Sequence, residues 1–203
     1  MLAKAKKQAK RSHCINNTKQ IGLGFKMYVG DYDDKYPVHT DWVDFGGATG
    51  NFYSLPQQVY GTIPAANRPL NPYVGDTKSF RCPSDGGDAH QMVQNTFEAY
   101  GTSYSVQWAY NRYQTLHVTC TNKPSRDTDF AASPATKLIF GDFIWHRDRS
   151  VLLHSSGNRE WHNYLGERRV NIFFADGHSE FFRFPPLYDA GATGPPDPAN
   201  GWW

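Results

Sequence analysis

Three histidines, His154, His162 and His178, stand near Asp142, Glu160, Asn163 and Asp176 in the last third of the chain. Gathered at one point, those imidazoles and carboxylates would suit a zinc site or a metal-dependent hydrolase, which needs three or four ligands at short range. Their spacing argues otherwise. His154 and His162 lie eight apart across a Gly157-Asn158 turn, and neither pairs with a second histidine at helical or strand spacing. The simpler reading is a polar loop in which Asp142 and His162 hydrogen-bond to tie the loop to a sheet. A serine nucleophile is not indicated, since no Gly-x-Ser-x-Gly elbow occurs.

Cys14, Cys82 and Cys120 show no Cys-x-x-Cys spacing and so no zinc knuckle. Three thiols allow one intrachain disulfide in an oxidising compartment and none in the cytosol, and sequence leaves all three pairings open. Asp31-x-Asp33 opens like a calcium loop. The sixth position is Tyr36 where glycine is needed and the twelfth is Trp42 where glutamate is needed, so an EF-hand is excluded. Trp108, Tyr110, Tyr113, Trp145, Trp161 and Tyr164 could form a sugar-stacking face. A carbohydrate-binding extracytoplasmic module is therefore the alternative from another class, against the commoner use of such rings as core.

These groups need elements to position them. Residues 3–29 read as one helix: Ala and Lys dominate its first half, no proline interrupts it, and Gly30 is placed to stop it. An apolar stripe of Cys14, Thr18, Ile21, Phe25 and Tyr28, with Ile15 and Val29 alongside, begins only at Cys14. The helix before it would project from the body. Leu2-Ala3-Lys4-Ala5-Lys6 reads as the continuation of a helix, without an N-cap ahead of it. Residues 38–80 are loop-rich, with at most a short element near 54–60. Residues 100–119 read as the first β region, with 103–110 alternating at period two, and 137–142 read as a buried strand. Val170–Ala175 and His178–Phe184 form two apolar strands around an Asp176-Gly177 hairpin turn. The tail from Pro185 reads as irregular chain on the surface.

Charge divides the molecule in the same place. Seven of 21 Lys and Arg lie in residues 1–30, where there is no Asp or Glu, leaving 14 basic against 19 acidic residues beyond. A domain plan follows: a helix over 1–30 and a globular α+β head over 31–203. The basic helix lacks the aromatic or arginine readers of a nucleic-acid arm, so a solvated face or a lipid-headgroup neighbour fits it better, with no nucleic-acid partner.

A family resemblance gathers these pieces. The stretch from Leu2 through Pro37 contains Cys14, Asn16, Asn17, Lys19, Gln20, Ile21, Gly22, Leu23 and Tyr28, then Asp31, Asp33, Asp34 and Pro37. Asn71-Pro72-Tyr73-Val74, Phe80-Arg81-Cys82-Pro83-Ser84-Asp85, Ser103-Tyr104, a Pro-led stretch ending at Asp142, and Asn171 through His178 follow in order. Together they resemble prepilin-type proteins related to the type II secretion pseudopilins (PulG-like), of the group with a His and Asp-Gly C-terminal signature. That signature has nine residues between His and Asp-Gly; here His162 has thirteen before Asp176, a four-residue insertion.

The resemblance implies a type IV pilin-like ladle, with a long N-terminal helix on an antiparallel sheet and long irregular insertions. It implies a structural, non-enzymatic subunit that assembles through that helix into a type II secretion or type IV pilus-like fibre. Its partners would be other pilin-like subunits and secretion machinery. A prepilin leader and an apolar half-helix upstream would hold the chain in the inner membrane, with a periplasmic or extracellular head. Asp142, His162, Asn171, Asp176 and Gly177 are its structural signature. Cys14 and Cys82, each in a shared block, become the preferred disulfide. No cofactor is expected, and a structural calcium would have Asp142 and Asp176 as its weak candidates.

Overall fold

Helix α1 spans Leu2–Asp31, two residues past the predicted end. Gly30 lies inside it, because a glycine with nothing to force a left-handed turn can remain helical. The stop comes at Asp33 and Asp34, both at positive φ (51° and 66°), where Asp34 N donates to Val29 O. The computed structural model describes residues 2–52, 61–120, 123–146, 161–162, 168–191 and 193–203. His154, Glu160, Asn163, Tyr164 and the element expected near 54–60 lie outside them.

Four strands form one antiparallel sheet in sequence order: β1 (Tyr104–Val106), β2 (Leu138–Asp142), β3 (Arg169–Phe174) and β4 (Ser179–Arg183). The N-terminal helix and this sheet make an α+β architecture compatible with a pilin-like fold. β1 corrects the expected longer strand. It is three residues, all buried, and Ala109 at φ 71° turns the chain away before alternation can continue. β2 and β3 are buried throughout apart from Arg169, as near-continuous apolar runs require. The β3–β4 connection turns at Gly177 (φ 97°), and Asp176 Oδ1 accepts from His178 N.

One sheet face receives α1. Gly22 lies so close to β3 that a Cβ there would stand 2.1–2.6 Å from three atoms of the Phe173 ring. Phe25 packs among Tyr36, Phe45 and Phe140, with centroids 5.3–5.9 Å apart. Short helix α2 (Asn71–Val74) flanks α1, Val74 pressing on Gly24. Further along, α3 (Thr96–Tyr100) is N-capped by Asn95.

The tail is not a surface appendage. Helix α4 (Pro186–Gly191) brings Tyr188 under Phe184, and its hydroxyl donates to Trp145 O. Trp202 and Trp203 are buried, and Trp203 exchanges backbone hydrogen bonds with Thr136 and Leu138 at the start of β2. A sheet with aromatic side chains on both faces needs a second cover, and the C-terminal segment supplies one.

Candidate functional site

The inner stripe of α1 delivers Cys14 to the chain just after the Thr77–Phe80 turn. There Asn17 Nδ2 donates to Arg81 O at 2.8 Å, holding the two segments together. Cys14 and Cys82 are joined by a disulfide with Cα atoms 5.0 Å apart. Closing 68 residues of sequence separation removes unfolded-state freedom worth about 4 kcal/mol on the chain-entropy model.

His162 completes the junction. Its Nε2 is 3.3 Å from Cys82 Sγ and 3.7 Å from Asp142 Oδ2, and all four side chains are buried. At the last residue of β2, Asp142 Oδ2 accepts from Asn171 N at 2.7 Å and Asn171 Nδ2 at 3.1 Å, while Oδ1 is buried without a partner among the described residues. The Asp142–His162 contact is thus longer than a hydrogen bond, and the direct tie of Asp142 is to Asn171 on β3. Burial pushes the Asp142 carboxyl up to about 8, with the Asn171 bonds opposing. Burial, then Arg11 and Lys10, pushes His162 down to about 4. The pair is therefore uncharged near neutrality, which spares the interior two isolated charges. Above it, Tyr104 donates to Cys14 O at 3.3 Å, and burial followed by Asp142 raises its phenol well above the usual range.

A cleft of about 860 Å³ opens beside the disulfide, lined by His13, Asn16, Gln20, Lys78, Arg81 and Phe97 and reaching Cys82. Its rear wall is built on Asp85, whose carboxylate accepts from Thr96 Oγ1 and Ser103 Oγ and from the backbone of Gly87, Thr96 and Phe97. The Cys82-Pro83-Ser84-Asp85 block and Ser103-Tyr104 are therefore parts of one construction.

Asp176 and His178 pair elsewhere, at the β3–β4 turn, with Oδ1 2.6 Å from Nδ1 and the imidazole stacked on Phe174. Partial burial raises the Asp176 carboxyl, but the His178 amide and ring outweigh it and hold it below its usual range. Among the described residues, Asp142, His162, Asp176 and His178 do not converge as a hydrolase centre. The group of three close metal-type ligands is instead Cys14, Cys82 and His162. The sugar-face aromatics divide too. Trp145 and Trp161 are buried and Trp108 donates its indole N–H inward to His39 O, while Tyr110 is exposed.

Two residues that sequence reasoning passed over organise the head. Arg68 is 1% exposed and donates to the carbonyls of Val43, Gly46, Ile63, Gly61 and Tyr100, with Asp44 3.4 Å away. Lys137 is fully buried between Phe130 and Trp203 and donates to Leu116 O and Leu138 O; burial pushes its ammonium well below the usual range. Lys137 lies in the Pro-led stretch ending at Asp142 and Arg68 in no block at all, so the signal for either was only a cation inside an otherwise apolar or turn-rich stretch. At the other end of α1, Lys26 bonds both oxygens of Asp127 at 2.7 Å, and Tyr36 shares Oδ1.

With the helix, the sheet and the Cys14–Cys82 junction in place, the chain can be compared with known proteins. The family described as "Protein of unknown function (DUF1559)", SBP_bac_10, matches residues 3–152, from the exposed start of α1 past the end of β2. The chain belongs to this family. DUF1559 is typical of bacterial pilin-like, prepilin-type proteins. No curated protein and no solved structure matches the chain. The DUF1559 match takes in Cys14, Cys82, Asp85 and Asp142, whereas Asn171 and the Asp176-Gly177 turn lie beyond it. No helix among the described residues is long and apolar enough to cross a membrane.

Proposed function

We propose that this DUF1559 protein is a structural, non-enzymatic pilin-like subunit that assembles through α1 into a type II secretion or type IV pilus-like fibre. The observation that carries the reading is the division of α1. Residues 2–10 are exposed on every side, about 14 Å of helix, while Cys14, Thr18, Ile21, Gly22, Phe25 and Val29 are buried against the head. Next to this exposed stretch, Arg11 lies over the Phe181 ring of β4, 4.8 Å from its centroid. Isolated helix of that length is marginal in water, so a projecting segment gains from neighbours of its own kind.

The outer face adds Leu23 and Met27, 61% and 48% exposed and one turn apart, with Lys19 exposed one turn before Leu23. Opposite charge lies at Asp31, Asp33 and Asp34. Contacts between the basic helix of one subunit and that acidic turn of the next would set register, each weak alone and selective together. Anchoring at the inner membrane, an extracytoplasmic head and engagement of secretion machinery belong to the same proposal.

Cross-linking in cells tests it. In a Cys120→Ser background, Lys6→Cys or Lys10→Cys on α1 should give ladders of covalent oligomers with a short bifunctional thiol reagent. Met92→Cys, on an exposed loop of the head, should give few. Monomer alone from both helix positions, in cells where the protein is intact, would refute assembly through α1.

A further inference from the structure

We propose that Cys14, Cys82 and His162, with Asp142 beside them, form a buried site for a thiophilic divalent cation of the zinc class whenever the disulfide is reduced. The ligand atoms of the first three already lie within 4.8 Å of one another. Tetrahedral zinc with sulfur at about 2.3 Å and nitrogen or oxygen at about 2.0–2.1 Å sets its ligands about 3.4–3.8 Å apart. His162 Nε2 is 3.3 Å from Cys82 Sγ, a few tenths of an ångström short of the nitrogen–sulfur spacing such a site needs, and Asp142 Oδ2 is 3.7 Å from the same nitrogen. The remaining movement is the separation of the two sulfurs once their bond is gone.

Three features around the cluster belong to a ligand site more than to a plain disulfide. Among the described residues Asp142 Oδ1 is buried with no hydrogen-bond partner, although Asn171 fixes the carboxyl through Oδ2. Asp142 Oδ2 faces His162 Nε2, the nitrogen that also faces Cys82, so the carboxyl stands on the ligand side of the imidazole and could offer an oxygen there. The cleft has Cys82 in its wall, so a reductant and an ion would approach from that side. Two thiolates also offset the charge of the cation in a dry interior.

The chemistry balances with a dithiol as reductant. It passes two electrons into the Cys14–Cys82 bond, its own sulfurs join, and its two protons end on Cys14 and Cys82. Those protons leave as the cation bonds to the two thiolates. Disulfide and ion are then alternative fasteners of α1 to the head at one place. The inference does not depend on fibre assembly, because its readout is the ion.

The test uses the Cys120→Ser protein, so that the two junction cysteines are the ones present. It is reduced with a dithiol, freed of reductant without oxygen, and titrated with Co²⁺ and then Zn²⁺. One equivalent of cobalt should give tetrahedral d–d bands with a thiolate charge-transfer band, displaced by zinc and absent from the oxidised protein. Native mass spectrometry should show one zinc, and His162→Ala should weaken binding about tenfold or more. Reduced protein that is folded by circular dichroism yet gives no thiolate–cobalt band would overturn the proposal. So would reduced protein that unfolds and is not refolded by zinc, or unchanged cobalt affinity in His162→Ala.

Discussion

Raising the pH from about 6.5 to about 8 should destabilise this protein through the Asp142–His162 pair, and Asp142→Asn should abolish that loss. In the unfolded chain the two groups titrate near their ordinary values, 3.8 and 6.5; in the folded protein they stand at about 8 and about 4. Asp142, raised by burial, contributes stability that is complete below 3.8 and is lost as pH climbs through 8. His162, lowered by burial, contributes stability that is complete above 6.5 and is lost as pH falls through 4. Between about pH 4 and 6.5 each state of the chain carries one proton on the pair, so the two trends cancel. From 6.5 to 8 the folded pair keeps its proton while the unfolded pair has released it, and stability falls. That span of about 1.5 units is worth about 2 kcal/mol. Urea unfolding at constant ionic strength should show this decline in the parent protein. Asp142→Asn has the shape of the protonated acid but no proton to lose, so its curve should lack this decline and keep only the slopes that Asp41 and Lys137 give to both proteins. Burial and then Asp44 push Asp41 up to about 7, which adds a shallower decline common to both proteins. Identical slopes in parent and variant would refute the assignment of the retained proton to this junction.

Gly22→Ala should cost about 1–3 kcal/mol in urea unfolding, because its methyl has no room against Phe173. Gly30→Ala, where nothing lies within 4 Å and the backbone is helical, should be neutral or stabilise by up to about 1 kcal/mol. Arg68→Leu should cost about 3–5 kcal/mol by leaving five carbonyls and Asp44 without their cation. Lys26→Met should cost at most about 1 kcal/mol, since that ion pair is 27% and 29% exposed and water can replace the missing partner. Equal losses for the two cations would show that burial does not set their worth.

Features written in short-range physics were open to sequence reading. Helix α1 follows from Ala and Lys propensity and from a stripe starting at Cys14, both readable within two turns. β2, β3 and the turn at Gly177 follow from apolar runs and from the need for a left-handed residue. The family blocks gave an order of residues, and Gly22 in one of them has its reason only in Phe173, about 150 positions later.

What folding alone decided is everything that depends on which distant segments meet. Three cysteines allowed three pairings until α1 and residues 80–83 were laid side by side. Asp142 and His162 were singled out from their types, but only the tertiary structure set both beside Cys82 and placed Asp176 and His178 together elsewhere. β1 stopped at three residues and the tail became a second cover because exposed alternation and surface polarity yield to aromatic burial once a sheet has two faces to fill. Arg68 lay silent in the sequence for the same cause: a cation's role is set by the carbonyls that surround it. Local propensities act over a few residues, whereas burial and pairing act through space, and the chain brings its chemistry together only by the second.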